Sequence, residues 1–151
     1  MKQNLQRLFI ALLAMMMMPI GNYSLVFAQD IAEAKWGTSA SELPNSGTLA
    51  EAISAAEADG ISVGYIQLQK DITTEESVII KNGVITIDLN GKTISCSKNY
   101  TLNIREEGEE SPETQVTLVD SSEGSGKVIC AYEGSSAIVV SNNAEVIIEN
   151  G

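Results

Sequence analysis

Val84 to Ile94 reads VITIDLNGKTI, and Gln115 to Ile129 reads QVTLVDSSEGSGKVI. Each is an alternating apolar strand closed by an acid, then a polar turn, then a Gly-Lys pair that opens another strand. Ala144 to Gly151, AEVIIENG, begins the same unit again. The acids Asp88, Asp120 and Glu149 are spaced by 32 and 29 residues, and Gly91-Lys92 recurs as Gly126-Lys127. About three short strands fit each interval. A period near 30 residues with three strands in it predicts a coil-by-coil solenoid whose stacked strands bury a column of Ile, Val and Leu. A β-sandwich also spaces strands at about 8–12 residues, but it gives no reason for the strand-acid-turn unit to return in phase.

Outward from this core, the same pattern begins after Gly60. Val63 to Ile72, Ser77 to Ile80, Val84 to Gly91, Lys92 to Cys96, Tyr100 to Ile104, Gln115 to Asp120, Lys127 to Tyr132, Ala137 to Ser141 and Ala144 to Gly151 are short and rich in β-branched residues. Gly, Asn, Ser or acidic turns separate them. Ahead of the strands, residues 48–60 read TLAEAISAAEADG. Thr48 and Glu51 have capping-box spacing, Gly60 supplies a stop, and Leu49, Ala52, Ile53 and Ala56 make one apolar stripe. This predicts a short amphipathic helix with one face to bury. Residues 29–47, with Trp36, Gly37, Pro44 and many Ser and Thr, predict an irregular lead-in with one strand around Trp36.

The succession TLAEAI, YIQLQKDI, ITIDLNGKTI and a strand ending in Asp120-Ser121-Ser122 before a Gly-rich turn resembles repeat-rich surface proteins of Gram-positive bacteria. These have a right-handed parallel β-helix of the pectin-lyase-like type. The resemblance covers roughly Thr48 to Gly151. It implies an all-β fold of about three coils over residues 61–151, with the helix of residues 48–60 covering the N-terminal end of the column. It specifies architecture better than activity, because the fold hosts lyases, hydrolases, adhesins and passive stalks. Gly151 follows the first strand of a new coil, so the expectation is a solenoid that is incomplete at its C-terminus, the N-terminal part of a longer protein.

The first 28 residues read as an export signal. Lys2 and Arg7 precede an uncharged stretch from Leu8 to Ile20, and Val26 and Ala28 are the small residues that a signal peptidase accepts. Cleavage after Ala28 leaves 123 residues carrying seven cationic and twenty acidic side chains, a net charge of −13. No stretch of the mature chain is apolar enough to span a bilayer, which needs about 20 residues. The expected location is therefore secreted or at a bacterial cell surface.

Composition excludes much chemistry. The chain of 151 residues contains no His, so no mechanism can use an imidazole base or ligand. With so few cations there is no basic patch for a nucleic-acid backbone. No catalytic residue and no cofactor is assigned. The residues to weigh for a metal are Asp88, Asp120 and Glu149: stacked in register they would lie about 5 Å apart, able to share a Ca²⁺ with Asn90 and Asn150. The preferred reading places these acids at exposed strand ends, where they tolerate solvent and discourage edge pairing. Arg105, the one Arg of the mature chain, is followed by Glu106, Glu107, Glu109 and Glu110 and reads as a salt link in a solvated loop. Cys96 and Cys130 could pair as a disulfide in an exported protein, but aligning the two Gly-Lys pairs sets them one residue out of step, and the preferred reading is two separate thiols, at least one of them buried. Trp36, Tyr65, Tyr100 and Tyr132 are too scattered for a sugar platform and read as packing or turn residues.

The functional expectation is a non-enzymatic, surface-associated stalk or adhesive scaffold, with extracellular glycans or cell-surface proteins as partners. The alternative is the N-terminal part of a secreted carbohydrate-active lyase or hydrolase of the same fold.

Overall fold

A computed structural model describes residues 31–58, 64–107 and 113–149. All lie in one compact unit, Ile31–Gly151. The signal-peptide assignment, the Gly60 stop and the tip of the acidic loop lie outside the described residues.

The lead-in is more regular than its sequence suggests. It holds the expected strand at Trp36, β1 (Ala34–Gly37), and a second, β2 (Asn45–Gly47), paired antiparallel to it. Helix α1 (Leu49–Glu57) follows. The Thr48 hydroxyl accepts from the Glu51 N–H at 3.2 Å, and the Glu51 carboxylate accepts from the Thr48 N–H at 2.8 Å. The capping box is thus closed in both directions, and the Thr48 N–H holds the Glu51 pKa below its ordinary value. The four residues of the apolar stripe are the four that α1 buries.

Ten strands come next: β3 (Tyr65–Leu68), β4 (Ile72–Thr74), β5 (Val78–Ile80), β6 (Gly83–Asp88), β7 (Thr93–Cys96), β8 (Leu102–Arg105), β9 (Thr114–Val119), β10 (Lys127–Cys130), β11 (Ile138–Ser141) and β12 (Glu145–Ile148). They form three sheets. The first runs β12-β9-β6-β3-β1-β2, the second β10-β7-β4 and the third β11-β8-β5. From β3 onward the chain visits the three sheets in rotation, and every strand pairs parallel with the strand three elements away. The chain is all-β with parallel sheets, and α1 is the sole helix among the described residues.

Two sequence expectations need correction. The run Val63 to Ile72 is not one strand: β3 ends at Leu68 and β4 begins at Ile72, because the chain must turn from the first sheet to the second. The period is also not uniform. Ile66 faces Ile87 and Ile72 faces Ile94, offsets of 21 and 22, whereas Ile85 faces Val116 and Ile94 faces Val128, offsets of 31 and 34. The first period is short because its corners carry fewer residues.

In-phase alternation turns one residue in two toward the interior. Ile66, Leu68, Ile80, Ile85, Ile87, Ile94, Leu102, Ile104, Val116 and Leu118 are buried as one core. Helix α1 packs on the end nearest β1, β2 and β3 and also touches β5 and β6. At the other end, β10, β11 and β12 have a hydrogen-bonded neighbour on one side only.

Candidate functional site

The densest polar arrangement sits at the corner between the first and second sheets, where β6 turns into β7 and β9 into β10. The Asp88 side chain is fully buried there. Its Oδ2 accepts from the Tyr65 hydroxyl at 3.0 Å and from the Gln67 amide at 2.9 Å, and its Oδ1 from the N–H groups of Asn90 and Ser121, each at 2.9 Å. Asp88 therefore ties together three successive periods: Tyr65 and Gln67 from one, Asn90 from its own, Ser121 from the next.

Asp120, also buried, does the reciprocal work. Its Oδ1 accepts from the Gly91 N–H at 2.8 Å, the Ser122 N–H at 3.1 Å and the Ser122 hydroxyl at 2.7 Å. Its Oδ2 accepts from the Gly126 N–H at 2.6 Å. Gly91 and Gly126 are required by this approach. A Cβ on Gly126 would lie 2.5 Å from Leu89 Cβ and 3.0 Å from Asp120 Cγ, and one on Gly91 would lie 2.7 Å from Ser122 Oγ. Gly91 moreover has φ +73°, in the left-handed region.

The electrostatics follow from these donors. Burial opposes ionisation of Asp88, but the donors from Gln67, Ser121 and Asn90 outweigh it and lower its pKa. The Gly126 N–H and the Ser122 hydroxyl, with Gly91 and the Ser122 N–H adding to them, hold Asp120 well below the usual carboxylate range. Desolvation first, and then the hydrogen bond to Asp88 and its charge, push the Tyr65 phenol up to about 12.

The placement of the sequence candidates differs from expectation. Asp88 and Asp120 are not exposed strand ends; they are interior groups with four donors apiece. Nor do the three acids form a column. Asp88 pairs with Val119, and Leu118 pairs with Ile148, so Asp88, Val119 and Glu149 share a level while Asp120 lies one residue beyond. The sequence spacings of 32 and 29 straddle structural offsets of 31 and 30. Glu149 is exposed, and its N–H donates to the Leu118 carbonyl at 2.9 Å. Among the described residues no group of three or more acidic or Cys side chains is placed to hold a metal ion.

Asn90 turns its amide to the Leu68 carbonyl at 2.9 Å, bracing the corner against the preceding period. Sequence reading missed the donors Tyr65, Gln67, Ser122 and Gly126; the signal was the Asp-Ser-Ser…Gly-Ser-Gly order, in which short donors flank an acid.

A second feature is a cleft of about 450 Å³ between α1 and the β4–β5 segment. Leu49, Ile53, Ile72 and Val78 give it an apolar floor, and Glu33, Glu57, Glu75 and Glu76 an acidic rim. Three rim carboxylates are engaged: Glu33 accepts from the Leu49 N–H at 3.1 Å, Glu57 from the Lys81 N–H at 2.6 Å, and Glu75 pairs with Lys98. Nothing in the sequence marks this cleft, since it arises only where the helix crosses the stack.

The acidic loop is tied by Lys81, which pairs with Glu107 at 3.1 Å. Arg105 ends β8 opposite Ser141 of β11. Trp36 packs against the core, while Tyr100 and Tyr132 are exposed near the corner between the second and third sheets. No described helix is long and apolar enough to cross a membrane.

Together these features define an all-β protein with parallel sheets, whose buried acids Asp88 and Asp120 join successive periods. Comparison of the chain with protein-family models, curated proteins and solved structures returned no match.

Proposed function

We propose that the chain is an exported, surface-associated right-handed parallel β-helix acting as a non-enzymatic stalk or adhesive scaffold, with extracellular glycans or cell-surface proteins as its partners. One observation carries this reading: the acids that recur most regularly, Asp88 and Asp120, have each of their oxygens engaged by donors of the protein itself. A general acid or base needs at least one oxygen facing substrate. Rotation of the chain through three sheets whose strands from β3 onward pair parallel, with a helix packed on one end, supports the β-helix architecture.

The test is to incubate the purified protein with a panel of neutral and acidic polysaccharides and to assay both cosedimentation and released reducing or unsaturated ends. Binding without release is expected. Release that disappears in an Asp88→Asn chain still melting cooperatively would establish the enzyme reading instead. Calcium is checked in the same preparation. Millimolar calcium chloride is expected to leave the melting temperature unchanged, and a rise abolished by Asp88→Asn with Asp120→Asn would assign the corner to a cation.

A further inference from the structure

Cys96 and Cys130 face each other. Lys127 pairs with Thr93, not with Lys92, so the thiols do not stand one residue out of step; they are direct partners in the parallel pair of β7 and β10. The sequence alignment failed because the turn after Asp120 carries extra residues that displace the second Gly-Lys pair by one position. Both side chains lie on the interior phase of their strands, level with Thr74 of β4: Ile94 and Cys96 are buried in β7, and Val128 and Cys130 are the two less exposed residues of β10. In-register neighbours of a parallel sheet have Cα atoms about 4.8 Å apart, inside the 4.4–6.8 Å or so that a disulfide spans.

We propose that Cys96 and Cys130 form an oxidisable dithiol, a modification site at which a small-molecule disulfide closes a covalent staple between consecutive periods. The pair is asymmetric in a way that orders the reaction. Cys130 is half-buried, with its sulfur 3.3 Å from the Asn99 carbonyl and 3.4 Å from that of Tyr132. Cys96 is fully buried, its sulfur 3.7 Å from the Glu75 carbonyl. Only Cys130 can meet a solution disulfide RSSR. Its thiolate attacks one sulfur, giving a mixed Cys130–S–S–R and releasing one RSH. Cys96 then loses its proton and attacks Cys130 Sγ; the bond to R breaks, and RS⁻ leaves and takes up that proton. The protein loses two hydrogens and RSSR becomes two RSH. Burial disfavours the Cys96 thiolate, but the N–H groups of Lys98 and Asn99 outweigh that cost and lower its pKa, as suits a resolving nucleophile. This inference does not depend on the scaffold reading.

The test uses the full chain, reduced, freed of reductant and titrated with oxidised glutathione. Free thiols, counted after denaturation, are expected to fall from two to none, with a mass loss of two hydrogens and no retained glutathione. Trypsin should then yield the peptide Thr93–Lys98 joined to the one beginning at Val128. The oxidised chain should melt several degrees above the reduced one, because the staple encloses a whole period. A glutathionyl group retained on Cys130 beside a free Cys96, a dimer linked through Cys130, or no rise in melting temperature would each overturn the proposal. Cys96→Ser should stop the reaction at the mixed disulfide, and Cys130→Ser should leave Cys96 unreactive. Should either variant fail to fold, the wild-type mass and peptide map decide alone.

Discussion

The middle of the stack and its far end are built from the same residue types and differ in what lies above them. Ile94 of β7 and Leu102 and Ile104 of β8 are fully buried, while their partners Val128 of β10 and Ile138 and Val140 of β11 are half-buried or exposed. The same holds in the first sheet, where Leu118 is 3% exposed and its partner Ile148 is 63% exposed. In a stacked architecture a side chain is buried by the periods on both sides of it, so position along the stack decides the worth of an apolar residue. The capped end also has α1 packed on the core and the antiparallel β1–β2 pair added beyond β3 in the first sheet.

The largest expected effect breaks that comparison directly. Ile104→Ala should cost about 3 kcal/mol, while Val140→Ala, its partner one period along, should cost less than about 1 kcal/mol; urea melts of the two variants measure both. Equal costs would mean that the last period is as well packed as the middle one.

Asp88→Asn comes next, at about 2 kcal/mol, because an amide nitrogen cannot accept from donors on one of its two sides. Glu149→Gln, at the same level of the stack but exposed, should be neutral within about 0.5 kcal/mol. The pH dependence sharpens this pair. The folded pKa of Asp88 lies below its ordinary 3.8, so its stabilisation is complete well above that pH and is lost as the pH falls through 3.8 toward the folded value. Acid titration of the melting temperature should therefore be shallower in Asp88→Asn than in wild type. Tyr65 works in the opposite direction. Its pKa rises from 10.0 to about 12, so its share is present below pH 10 and disappears as the pH climbs from 10 to 12. Tyr65→Phe should flatten that alkaline limb.

Below Ile104 and Asp88 in expected cost comes the cap. Thr48→Ala should cost about 1 kcal/mol, detectable by circular dichroism as earlier fraying of α1, with hydrogen exchange in β10–β12 unchanged. Faster exchange in those far strands would show that the two ends are coupled through the core.

The sequence by itself determined the local structure. The Thr48–Glu51 box and the Leu49, Ala52, Ile53 and Ala56 stripe specify α1, since capping and 3.6-residue periodicity are properties of adjacent residues. The alternating runs specify the strands of the later periods, and the recurring acid marks the corner between the first two sheets. Register was decided by tertiary structure alone. Corner lengths between strands add up over a whole period, so a repeat read from sequence carries an error of one residue, and in a strand one residue reverses the face. That single residue separates Asp120 from the level of Asp88 and brings Cys96 opposite Cys130. The burial of Asp88 and Asp120 was likewise tertiary, because their donors come from three different periods that meet only once the strands have stacked.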